Sequence, residues 1–302
     1  MGIAQAPARE IHPSPRFWLW PLASIRFGEV AILQGSPLLG GLFAISDFTA
    51  ARLASLGLLA IASCLLVAHV FVLNDWAGVA GDLQDPKRAP SVFVVRGVSR
   101  VEAGWLAIAL LVASIALFAF LGWRPLTIAL VIAAASGLYS APLSHAKGVA
   151  LFNSTLHLAG GTLHFLLGAA LFRPIDMHSL VIGSFFGLTF MAGHFTHEAR
   201  DREGDSLNGI RTNAVRFGTR SSFVAGLIVF TAAYALLTVL ALYEVMPRVL
   251  TAAAVVYPLH LAISLRAIHG GLTYERIRSV QRCYRALYAV IGLLMAVALV
   301  FQ

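Results

Sequence analysis

Charge and cysteine are both scarce in this chain. Only 12% of its 302 residues are Asp, Glu, Lys or Arg, about half the share found in an ordinary soluble domain. With 59% hydrophobic residues and a mean hydropathy of +0.81, too little polar surface remains to clothe a water-soluble globule of this length. Disordered and coiled-coil chains are excluded on the same composition. The two cysteines, Cys64 in an apolar run and Cys283 beside a basic one, support neither a disulfide framework nor a cysteine-based zinc site. What the chain has in quantity is apolar runs near the ~20 residues needed to cross a bilayer.

Nine such runs are predicted as helices, near 22–45, 54–76, 101–121, 125–141, 151–172, 179–198, 222–243, 247–268 and 284–301. The fourth is short, and the eighth carries Pro258, which a bilayer tolerates because neighbouring helices satisfy the freed carbonyl. The expected fold class is therefore all-α, a polytopic membrane bundle of nine transmembrane helices over residues 21–302. Residues 1–20 are expected to form a cytoplasmic tail, since Pro7, Pro13 and Pro15 precede any apolar run, unlike a cleavable signal peptide. The 22 basic residues divide 18 to 4 between the two sides of this arrangement. Because Lys and Arg collect on the cytoplasmic side, the N-terminus is expected in the cytoplasm and the C-terminus outside. Topology and anionic lipid then account for the net charge of +8, with no need for a nucleic-acid partner.

Seven of the 14 acidic residues fall in two short segments. The first, NDWAGVAGDLQD, holds Asn74, Asp75, Asp82 and Asp85 at the end of the second predicted span. The second, HEARDREGD, holds Glu198, Asp201, Glu203 and Asp205 at the end of the sixth. An even number of crossings separates them, so both emerge on one face of the membrane. On a helix, Asp75 and Asp82 share a face, as do His194, His197, Asp201 and Asp205. Carboxylates clustered at a membrane edge repel one another. Divalent cations relieve that repulsion, and hard oxygen ligands favour magnesium, which shares its shell with phosphate oxygens and water.

These residues resemble the UbiA superfamily of intramembrane prenyltransferases. That family carries N-D-x-x-D-x-x-x-D after its second helix and D-x-x-x-D after its sixth. Asn74, Asp75 and Asp82 match the first motif, and Asp201 and Asp205 match the second. Gly204, Gly209, Thr212 and Gly218 match the residues that follow, and Tyr139, Ser140, Pro142 and Lys147 resemble the family's Tyr-Ser-x-Pro element ahead of a basic residue. The similarity runs from about Arg26 to Gly218, and nine helices is the family's count. Gly78 departs from the pattern by standing where the family has an aspartate, with Asp85 as the nearest carboxylate to replace it.

The resemblance implies magnesium-dependent transfer of an isoprenyl chain from its diphosphate to a hydrophobic acceptor, usually an aromatic ring, with release of pyrophosphate. Asn74, Asp75, Asp82, Asp201 and Asp205 would hold the Mg2+, the four aspartates being the catalytic set. Lys147, Arg200, Arg211 and Tyr139 would bind the diphosphate. Arg26, Asn153 and His157 would face the acceptor, with His157 or His164 available to remove a proton. Trp76, Tyr139 and Phe195 are candidates to offer ring faces to a carbocation. Two other classes compete. A secondary transporter would use the acidic clusters as a coupling site, although such sites sit at the bilayer midplane on broken helices. A histidine-ligated oxidoreductase would use His157, His164, His194 and His197, which lack a repeated His-x-x-His pattern.

Overall fold

The computed structural model describes residues 22, 24–86, 88–140 and 146–301, and among these all regular structure is helical. In chain order the α-helices are α1 (Phe27–Leu33), α2 (Gly35–Ala44), α3 (Ala50–Asp82), α4 (Arg100–Leu121), α5 (Trp123–Ser140) and α6 (Phe152–Phe172). They continue with α7 (Met177–Leu207), α8 (Asn213–Phe217), α9 (Thr219–Leu242), α10 (Ala253–His269) and α11 (Tyr274–Val300). The expected tail, residues 1–20, lies outside the described residues.

Among the described residues eight segments are long and apolar enough to cross a membrane: Phe27–Ala44, Ala50–Asp82, Arg100–Leu121, Phe152–Phe172, Met177–Leu207, Thr219–Leu242, Arg248–His269 and Tyr274–Val300. The expected count of nine is not reached on this measure. The run predicted at 125–141 is present as α5 but is not among the eight, because Trp123, Arg124 and Pro125 at one end and Tyr139 and Ser140 at the other dilute its apolar middle. The first span is two helices that break at Gln34, where Gly35 and Pro37 weaken the continuing hydrogen-bond ladder. The acidic spans are longer than expected, since α3 runs on to Asp82 and α7 to Leu207.

Local chemistry sets several helix starts. Ser99 and Glu102 form a capping box at α4: the Ser99 hydroxyl accepts from the Glu102 N–H and the Glu102 carboxylate from the Ser99 N–H. Asp176 and Ser179 do the same at α7. Thr49 and Thr273 cap α3 and α11.

In lipid, helices associate by close packing and hydrogen bonding rather than by escape from water. The α2–α6 crossing shows this most plainly. A side chain at Gly168 would strike the Pro37 carbonyl, and one at Gly40 the Phe165 carbonyl, so only hydrogen fits at either place. The largest buried cluster, including Leu59, Phe118, Phe165, Ile182 and Leu237, occupies the end of the bundle away from the acidic motifs. The polar residues of α3, α6 and α7 gather at the opposite end, which places the site.

Candidate functional site

Both acidic motifs finish at one end of the bundle. A Cβ at Gly81, next to Asp82, would come within 2.8 Å of the Asn208 side chain, the cap of α7, so the ends of α3 and α7 touch. Asp82 on α3 and Asp201 on α7 face each other across a single guanidinium. Arg88 donates from Nη1 to Asp82 Oδ1 at 3.0 Å and from Nη2 to Asp201 Oδ2 at 2.6 Å. Its Nε lies 3.9 Å from Asp85 Oδ2. Burial opposes the charge on Arg88, but the Asp201 and Asp82 carboxylates outweigh it and raise its pKa above the ordinary arginine value.

Asp85 is buried and rests on α7 at Gly204, where an added side chain would strike its Oδ2. The segment after α3 is thus docked between Asp201 and Asp205. Val92, Phe93 and Val98 hold it there by packing with Val79 of α3 and Ala103 of α4. Gly78 has room beside it, the nearest atom to an added Cβ being Asp82 Oδ2 at 3.6 Å.

Arginines meet the remaining carboxylates. Arg26, just before α1, grips Asp75 through Nε to Oδ2 at 3.0 Å and Nη2 to Oδ1 at 2.5 Å. Arg200 forks onto Asp201 at 2.6 and 2.8 Å and also donates to Gln281 Oε1 on α11 at 2.8 Å. Asp205 interacts electrostatically with Lys147 and Arg88. Tyr139 is within electrostatic reach of Glu198, Asp205 and Arg88, and its ring meets His157 edge-on at 5.3 Å. Arg211 is exposed, with its backbone against the Gly148 segment. Asn74 is half-buried beside Asp75. Pro142 of the Tyr-Ser-x-Pro element and Lys87 lie outside the described residues.

Beneath the carboxylates is a buried polar network. Glu198 accepts from Asn153 Nδ2 at 2.6 Å and from Asn213 Nδ2 at 2.7 Å, while the Asn213 Oδ1 accepts from the Leu151 N–H at 2.7 Å. That bond holds Leu151 at φ 66°, a strained conformation for a branched residue, where α6 begins. Asn153 is fully buried, with its amide also on the Lys147 carbonyl at 3.0 Å. The Nδ1 of His157 is 2.8 Å from the Asn153 carbonyl, a contact that assigns the proton to Nδ1 and the lone pair to Nε2. The His157 ring stacks on His194 at 3.7 Å. His194 Nε2 is 3.1 Å from Glu198 Oε1, within ion-pair range but without hydrogen-bond alignment. Arg285 of α11 links Glu29 at 3.1 Å to the neighbouring His197 at 3.4 Å.

Several expected partners face elsewhere. Trp76 packs against α4 under Arg100, and Phe195 against Gly226 of α9. His164 stacks on Phe190 at 6.0 Å, deeper along α6. Sequence reading passed over Arg88, although it sits in the basic run straight after the first motif, and over Asn213, Arg285 and the roles of Glu198 and His194.

Among the described residues no three of His, Cys, Asp and Glu converge closely enough to cage a metal ion unaided. The donors at the α3–α7 junction are all oxygen. That suits a hard divalent cation such as magnesium, which takes one or two carboxylates and completes its shell with water and phosphate.

The sequence model of the UbiA prenyltransferase family matches residues 35–273. The chain belongs to this family. A UbiA homologue from Aeropyrum pernix K1 in its apo form superposes with a TM-score of 0.73 at 19% identity, covering 92% of this chain and 100% of the other. A homologue from Archaeoglobus fulgidus bound to GPP and Mg2+ gives 0.70 at 16% identity, over 92% and 99%. A digeranylgeranylglyceryl phosphate synthase gives 0.69 at 17% identity, over 94% and 98%. At these identities the structures establish a shared UbiA fold. No curated protein sequence matches. Like other members of this family, the chain is a multi-pass membrane protein.

Proposed function

We propose that this UbiA-family protein transfers an isoprenyl group from an isoprenyl diphosphate to a hydrophobic, proton-bearing acceptor such as an aromatic ring, in a magnesium-dependent reaction that releases pyrophosphate. The observation that carries this reading is Arg88 lying between Asp82 and Asp201. Carboxylates from two distant helices meet around one cation. Homologues of the same fold are bound to GPP or DMAPP with Mg2+.

Asp75, Asp82, Asp201 and Asp205, with Asn74, are the residues that would hold the metal, and Asp85 takes the place of the carboxylate missing at Gly78. A magnesium ion held there would supply Lewis-acid stabilisation of charge on the departing diphosphate. Lys147, Arg200, Arg211 and Arg88 donate charge-assisted hydrogen bonds to phosphate oxygens, with the Tyr139 hydroxyl beside them. As the allylic C–O bond breaks, the isoprenyl carbon forms a new bond to the acceptor, and the acceptor's proton leaves. His157 receives it at Nε2. Asn153 and Glu198 orient the histidines, since their own polar atoms are already engaged with each other. Arg26 takes the acceptor's polar group at the α1 edge, and residues 21–302 act as a single domain with the acidic end and the N-terminus in the cytoplasm, following the positive-inside asymmetry.

The test uses protein in lipid nanodiscs, labelled geranyl, farnesyl and geranylgeranyl diphosphates, and an acceptor pool extracted from the source organism. Expected is acceptor-dependent pyrophosphate release that EDTA stops and Mg2+ restores. Release that is indifferent to metal, or no isoprenylated product by mass spectrometry, refutes the reading.

A further inference from the structure

Asp75, Asp82, Asp85 and Asp201 each have an arginine within ion-pair distance: Arg26, Arg88, Arg88 again, and Arg88 with Arg200. The motifs that would receive a divalent cation are already charge-compensated from within the chain. Arg88 is the central member because, among the described residues, it is the side chain that spans the gap between Asp82 of α3 and Asp201 of α7. It is also held from behind. Its N–H donates to the Asp85 carbonyl at 3.0 Å in a tight turn, and the segment that follows is packed through Val92, Phe93 and Val98. The side chain can therefore change partners while its backbone stays in place.

We propose that Arg88 is an internal counter-ion seated where the metal must go, so that the protein takes up metal and diphosphate together and binds neither tightly alone. The proposal rests on the functional reading above and concerns how that same site is loaded.

A free divalent ion gains Asp82 and Asp201 only by displacing Arg88, which leaves a guanidinium stranded among the incoming charges. A diphosphate changes the balance. It offers the guanidinium a forked partner of matching geometry, which frees both carboxylates for the metal, and the metal in turn shares the phosphate oxygens. The two ligands then promote each other by the same factor in either order, as linkage requires. Gly78 sharpens the effect. An aspartate there would add a fifth carboxylate one turn from Asp82, whereas with Gly78 the four carboxylates Asp75, Asp82, Asp85 and Asp201 face the three arginines Arg26, Arg88 and Arg200.

The experiment measures Mn2+ binding by electron paramagnetic resonance and calorimetry, with and without inorganic pyrophosphate, and needs no acceptor or turnover. In the wild type, pyrophosphate should tighten Mn2+ binding at least 100-fold. R88Q should bind Mn2+ alone at least tenfold tighter than wild type and lose at least tenfold of the pyrophosphate effect. R88K, which keeps charge but cannot fork across two carboxylates, should lie between them, and it carries the test should R88Q fail to fold. If wild type shows the pyrophosphate effect and the Arg88 variants bind Mn2+ alone no tighter, the proposal falls and the functional reading stands. If wild type takes up no Mn2+ even with pyrophosphate, both fall.

Discussion

Asp85 lies with its carboxylate against the bare backbone of Gly204, the residue before the second aspartate of the second acidic motif. A glycine that looks like a spacer in D-R-E-G-D is thus the landing point for a residue 119 positions earlier in the chain. Its side-chain hydrogen is what permits the approach.

Gly204→Ala should therefore leave the fold intact, because the atom it strikes is the movable end of a side chain, and yet expel Asp85 from the junction. The expected loss is on the order of tenfold in kcat/KM, about 1.4 kcal/mol. Pyrophosphate release at varied Mg2+ checks it, and unaltered kinetics would remove Asp85 from the site.

Asp75→Asn and Asp201→Asn preserve shape while removing negative charge. Each should lower metal-dependent turnover by at least about 100-fold while size-exclusion profiles in detergent stay monodisperse. Full turnover in either variant contradicts the assignment of that aspartate.

Asn213→Ala leaves the Leu151 N–H and one oxygen of the buried Glu198 without a partner. A loss of about 1–3 kcal/mol in equilibrium unfolding in mixed micelles is expected. Leu151→Gly should move the other way by about 1 kcal/mol, since it relieves the strain at φ 66°. Opposite signs from neighbouring positions are the signature to look for.

Gly168→Leu has no such escape. Its side chain would meet the Pro37 carbonyl, which is backbone, so the α2–α6 crossing must open. The expected result is loss of folded, monodisperse protein, whereas Leu on the lipid-facing surface, for example Gly57→Leu, should express normally.

Much of this was legible in the residue order. Apolar runs of bilayer length gave the all-helical membrane fold, and the even number of crossings between the acidic segments placed them at one end. Family resemblance singled out Asp75, Asp82, Asp201 and Asp205 as candidates, and Asp82 and Asp201 share the Arg88 guanidinium. What stayed hidden depends on which way side chains point once helices pack. Asn153, expected to face the acceptor, has its amide bonded to Glu198 and Asn213, contacts 45 and 60 residues away that no local pattern signals. Trp76 adjoins Asp75 in sequence, yet a helix turns it about 100° around onto α4. Arg88 read as one more cytoplasmic charge, because ion pairing across 113 residues leaves no local pattern. Polar ends leave the α5 segment less apolar than the eight spans, yet it still has to traverse the bundle for the ends of α3 and α7 to meet on one side.

Glu29 and Arg285, 256 residues apart, join the first helix to the last beside His197. In a chain made from the N-terminus onward, Arg285 on α11 is synthesised after both residues it joins. An assembly stalled before Tyr274 would keep its carboxylates but lack the arginine that ties Glu29 to His197.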